Sequence, residues 1–126
     1  MKRRLIAAAL VLVFPSSMAA CGSQTKAAAC HEIDNAAASA SKQAQKNGQT
    51  TSKDPKVLRD RMADLASTYK KASKKVTNKK VKPVFQSFIA DMERIVKLYD
   101  DGDTTFSSSE FNSAMTDMEN HRKKLS

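Results

Sequence analysis

Residues 82–102 read KPVFQSFIADMERIVKLYDDG. Phe85, Phe88, Ile89 and Met92 fall at i, i+3, i+4 and i+7, and Ile95, Val96 and Tyr99 continue the pattern. Together they form one wide apolar face of an amphipathic helix. Pro83 belongs in the first turn, because deeper in the helix its ring would clash with a preceding carbonyl. Gly102 marks the point where the chain leaves the helix. No other stretch carries so many bulky side chains, so this helix is expected at the centre of an all-α core.

The flanking segments supply partners. On the N-terminal side, Asp54 caps and Pro55 occupies the first helical position, where its missing N–H costs nothing. Leu58, Met62, Leu65, Tyr69, Ala72 and Val76 follow as one stripe, broken somewhere between Thr77 and Val81. On the C-terminal side, Ser107 and Glu110 have capping-box spacing, and Phe106 and Phe111 fit a hydrophobic staple. Phe111, Ala114, Met115, Met118 and Leu125 line one side, interrupted at His121 or Arg122, so the last turns are expected to fray. A further helix, from about Ala27 to Lys46, presents Cys30, Ile33, Ala37, Ala40 and Ala44 before Asn47-Gly48 ends it. The residues GQTTSK then link it to Asp54.

No alternating, strand-like run appears after residue 20. The expected architecture over residues 27–126 is a small antiparallel bundle of three to four helices. Nearly all the large apolar residues lie beyond residue 54. Three tightly packed helices with a looser first helix is therefore the main variant, of modest stability.

The chain has 126 residues and a net charge of +9. Its first 20 residues have the order of a signal peptide: Lys2-Arg3-Arg4, the apolar run LIAAALVLVF at 5–14, then Pro15-Ser16-Ser17. Ten apolar residues are too few for a standard spanning helix, which takes about 20. Without this leader, 19 of the 22 basic side chains remain against 13 acids. That balance suits an anionic surface such as a membrane or a wall polymer.

Met18-Ala19-Ala20-Cys21-Gly22 resembles the lipobox of bacterial lipoproteins. The resemblance implies a diacylglyceryl thioether on Cys21, which becomes the new N-terminus and enters the bilayer through its acyl chains. Ordinary secretion after a cut at Ala20 is the alternative. The residues from Cys21 to Lys26 are expected to be the lipidated cysteine and a short polar tether. The "AACG" form resembles lipoproteins of Gram-positive and actinobacterial envelopes. Cys21, Cys30 and Asp54-Pro55 also resemble, loosely, the small helical lipoproteins of unassigned function found in actinobacteria. Some of those carry a late cysteine that this chain lacks.

Cys30 is left without a partner in the chain if Cys21 carries lipid. A small hydrophobe on a helix face is the plain reading, with an intermolecular disulfide or a cofactor role as alternatives. Cys30-His31-Glu32 is not a catalytic set, because neighbours on a helix point about 100° apart. YDDGDTTFSSSEF at 99–111 is not a calcium loop. With Glu110 at position 12, Thr104 falls where glycine is required. It reads as a polar turn. His31 and His121 lack a third ligand for zinc, and Asp117, one turn before His121, is expected to pair with it.

Lys70, Lys71, Lys74, Lys75, Lys79, Lys80 and Lys82 cluster with no acid among residues 70–82, while eight acids gather in 91–119. The lysines are either a solvated face attracted to that acidic half or a contact for anionic lipid or wall polymer. Nothing in the chain resembles a base-reading motif, so no nucleic-acid partner is expected. No metal, cofactor or catalytic set is expected either. The function expected is that of a non-enzymatic, lipid-anchored accessory or binding protein on the outer face of the cell membrane. The alternative is a carrier of a small ligand or lipid, with a slot among Met62, Met92, Met115 and Met118.

Overall fold

The computed structural model of the chain describes residues 24–48 and 52–126. The leader and Cys21 lie outside them. The described residues form four helices and no strand: α1 (Lys26–Lys46), α2 (Pro55–Ser73), α3 (Val81–Asp100) and α4 (Ser109–Leu125). None is long and apolar enough to cross a membrane.

Cross-helix contacts establish an up-down-up-down bundle. Arg59 at the start of α2 reaches Asp100 at the end of α3, while Lys70 near the end of α2 meets Glu93. Between α3 and α4, Arg94 pairs with Asp117 and Asp91 with His121. Cys30 near the start of α1 faces Leu125 at the end of α4.

As expected, α3 is the centre. Phe85, Met92 and Ile95 are fully buried, with Val76 from the preceding turn. Each such side chain stabilises the fold by about 1.5–3 kcal/mol through lost water contact. Tyr69 packs edge-on to Phe85 with ring centroids 5.4 Å apart, and lies against Phe88 at 6.0 Å. Burial, then the charge of Asp34, pushes the Tyr69 phenol above its ordinary pKa.

The helix starts are held by side chains. Thr25 accepts the N–H of Ala28 at 3.1 Å. Asp54 accepts that of Lys56 at 2.9 Å, with Pro55 in the first turn. Lys80 gives α3 no side-chain cap, and Asn78 substitutes: its Oδ1 accepts the N–H groups of Lys80 and Val81, both at 3.0 Å.

Three expectations are corrected. First, the expected α1 face holds at Ala44, with Ile33 and Ala37 packed against the core, but Ala29 and Ala36 are buried beside it and Cys30 is only half-buried. Second, α4 is capped by Ser108 rather than Ser107, with Ser108 Oγ accepting the Phe111 N–H at 3.1 Å. Ser107 N–H is already taken by Asp103 at 2.8 Å, so Glu110 closes no capping box. The staple contact survives in shifted form, with the Phe106 and Phe111 rings 5.1 Å apart. Third, α4 stays helical to Leu125. His121 reaches across to the buried Asp91 at 2.6 Å instead of pairing with Asp117, which is held by Arg94.

Candidate functional site

Two features at opposite ends of the bundle are candidates. The first begins at Gln24. Its backbone oxygen accepts from Asn78 Nδ2 at 2.7 Å, and its side-chain oxygen accepts the Thr77 N–H at 3.0 Å. Its own N–H points at Thr77 Oγ1 at 3.4 Å. Gln24 and Thr25 were expected in a free tether. Gln24 is instead fastened to the turn between α2 and α3, Thr25 caps α1, and the helix begins at Lys26.

That turn carries Lys74, Lys75, Lys79 and Lys80, all exposed, with Lys82 half-buried just inside α3. Because α1 and α4 bring Lys26, Lys123 and Lys124 to the same half of the molecule, the cluster extends beyond the lysine run read from the sequence. Residues 24–31, 65–90 and 120–126 contain eleven lysines and arginines and no acidic side chain. The Asp91–His121 register leaves the end of α4 about six residues, roughly 9 Å, short of the tip formed by the α2–α3 turn. Arg122 is partly neutralised by Glu119, which it contacts at 2.7 and 2.8 Å. Two members of the predicted cluster separate from the tip. Lys70 pairs with Glu93 at 3.1 Å on the flank. Lys71 lines a furrow between α1 and α2 together with Glu32 and Lys75.

The second feature is an open apolar groove of about 320 Å³ between the first turns of α2 and the start of α4. It is lined by the buried Ile95, the half-buried Met62, Leu65, Phe106 and Phe111, and the exposed Leu58, Met115 and Arg61. Leu58 and Met115 are 38% and 37% exposed, unusual for large apolar residues that the helical stripes assign to a core. Of the four methionines expected in a slot, Met62 and Met115 line the groove. Met92 is buried in the core, and Met118 packs beside it.

Phe106 holds the groove wall in a left-handed backbone conformation, with φ of 53°. Its N–H donates to the Asp103 carbonyl at 3.2 Å, and its ring lies 5.5 Å from that of Tyr99. Asp103 organises the whole turn, accepting from Ser107 N–H, Ser108 N–H and Ser108 Oγ. The Ser108 hydroxyl first, then the Ser107 N–H, keep the Asp103 carboxyl below the usual carboxylate range. At the same end, Asp100 makes a two-point contact with Arg59, at 3.0 and 2.9 Å.

The other candidates are dispersed. The Cys30 thiol points at the Leu125 carbonyl oxygen at 3.9 Å, His31 is exposed, and His121 is engaged by Asp91. Among the described residues, no three His, Cys, Asp or Glu side chains gather as metal ligands. No protein-family model, no curated protein and no solved structure matches the chain.

Proposed function

We propose that this is an extracytoplasmic lipoprotein, held on the outer face of the cell membrane by acylated Cys21, which acts as an accessory or binding protein rather than an enzyme. The observation that carries the reading is the order Lys2-Arg3-Arg4, apolar 5–14, then Met18-Ala19-Ala20-Cys21-Gly22. Two or three acyl chains, each gaining about 0.8 kcal/mol per buried methylene, suffice to hold a small domain at a bilayer. The Gln24 attachment supports the reading, because it gives a domain fastened close behind Cys21 a defined end toward the membrane. Mass spectrometry of the mature N-terminus is the test. A diacylglyceryl-modified Cys21 is expected, and Cys21→Ser should release protein or leave the precursor uncut. An unmodified Cys21 at the mature terminus, or cleavage elsewhere, ends the proposal.

A second reading, a carrier of a lipid or small apolar ligand, is favoured by the groove between Leu58 and Met115. A fluorescent fatty acid is expected to bind there, with Arg61 beside its carboxylate. Leu58→Glu with Met115→Glu should abolish binding while the helical circular dichroism is retained. Binding that survives both changes removes the groove from the account.

A further inference from the structure

We propose that the basic tip of the bundle docks end-on onto anionic phospholipid headgroups, so that the domain stands upright with its apolar groove facing away from the bilayer. The inference rests on the reading that Cys21 is lipid-anchored. It adds an electrostatic face and an orientation that the anchor alone does not impose.

Distance selects the surface that the tip meets. Gln24 is fastened to Thr77 and Asn78. Only three residue steps separate it from Cys21, and an extended chain covers at most about 11 Å in three steps. Mobile charges screen over about 8 Å at physiological ionic strength. An acylated Cys21 therefore keeps the point where Gln24 meets the α2–α3 turn within about 11 Å of the headgroups, between one and two screening lengths. A soluble polyanion would have to compete for a face already held there.

The charge distribution selects the end. Lys74, Lys75, Lys79 and Lys80 project from the tip, with Lys26 beside them. The first acids reached along the four helices from this end are Glu32, Asp64, Asp91 and Glu119. Side-on docking along the outer α2–α3 flank is disfavoured, since Lys70 there is neutralised by Glu93. At the other end, Asp54, Asp60, Asp100, Asp101, Asp103 and Glu110 offset the lysines and arginines nearby. The bundle is thus basic at one end and balanced at the other.

The test uses the mature chain purified from the membrane of the producing bacterium. It is reconstituted into vesicles of phosphatidylcholine alone or mixed with phosphatidylglycerol. A single dye is attached, in a Cys30→Ser background, at Gln86→Cys near the tip or Thr104→Cys at the far end. A headgroup-located quencher should quench the Gln86 position more strongly in anionic vesicles than in neutral ones, where the anchor alone holds the tip near, and the Thr104 position weakly in both. Lys75→Gln, Lys79→Gln and Lys80→Gln together should reduce the Gln86 signal to its neutral-vesicle level. Lys42→Gln, Lys46→Gln and Lys53→Gln, the same charge loss at the other end, should change nothing. Equal quenching at both positions, or indifference to the lipid or to the tip lysines, overturns the proposal.

Mass spectrometry of the same preparation reports separately on the anchor. If Cys21 is unmodified, the anchor reading fails and sedimentation of that protein tests the face directly. Binding to anionic vesicles only, weakened roughly 100-fold in the tip variant at about a tenfold loss per 1.4 kcal/mol, upholds the basic face. Binding to neither vesicle, or to a phosphate-rich wall polymer in preference to both, overturns it.

Discussion

Helices α1 and α3 have nearly the same length, 21 and 20 residues, yet they do different jobs. Three residues of α1 are buried, and all are alanine. Seven of α3 are buried, among them Phe85, Phe88, Ile89, Met92 and Ile95. Alanine lets α1 lie close to α2 but removes little apolar area from water per contact. α3 buries large side chains against all three other helices. Helix length therefore says little about how firmly a helix is held. The size of the side chains it buries decides.

Phe85→Ala should test that contrast most severely. Removing a fully buried ring costs about 3–5 kcal/mol, a large share of the stability of a domain this small. Urea unfolding should show it as a lower midpoint, and a loss under about 1 kcal/mol would contradict a core centred on α3. Ala29→Leu probes the other side. Ala29 is completely buried, so the added methylenes must push α1 outward, at a cost of about 1–3 kcal/mol. Hydrogen exchange should then rise in α1 while α3 stays protected. Uniform deprotection would mean that the two helices open as one unit.

Thr25→Ala removes the α1 cap and should cost about 1 kcal/mol, again read by exchange in α1 alone. The smallest effect concerns the turn after α3. Asp103 has a folded-state pKa below its unfolded value, chiefly through the Ser108 hydroxyl. Its stabilising effect is therefore complete above the unfolded carboxylate pKa of about 3.9 and fades as pH falls through the lower folded value. Asp103→Asn should flatten that acid limb, seen as a smaller difference in Tm between neutral and acidic buffer. An unchanged limb would assign it to other carboxylates.

The four helices were readable because each carries a periodic stripe, and two carry strong start signals in Asp54-Pro55 and the serines before Phe111. Which alanines of α1 go deepest was not. Alanines at 27–29, 36–38, 40 and 44 make an apolar stripe in more than one register, so packing against α2 chooses among them. The cap of α4 lies one position from the expected Ser107 because three serines in a row offer equivalent hydroxyls. Asp103 selects Ser108 by accepting from its hydroxyl, which leaves that oxygen aimed at the Phe111 N–H. The groove is not legible in the sequence for another reason. Leu58, Phe111 and Met115 have core-type spacing, and periodicity cannot distinguish a closed seam from two helices that leave a gap between them. The Gln24 attachment has no sequence signature, since its partners lie more than fifty residues away. Lys70, Lys71, Lys74, Lys75, Lys79, Lys80 and Lys82 were visible as a run, but which of them share one end required the fold.

The up-down-up-down order has a consequence in time. Neighbours in the chain are neighbours in space, so most contacts close short loops, a topology associated with fast folding. The pairs α2–α3 and α3–α4 bury the bulky side chains and need only turns of seven and eight residues between helices. α1 adds alanine contacts and the long-range Gln24 bonds. The expected sequence is collapse of α2, α3 and α4 around Phe85, followed by docking of α1. Phe85→Leu should then slow refolding, whereas Ala36→Gly should mainly speed unfolding. On this order, the α2–α3 turn gains its grip on Gln24 only as the last helix settles, so the end of the domain that meets Cys21 is the last part of the bundle to mature.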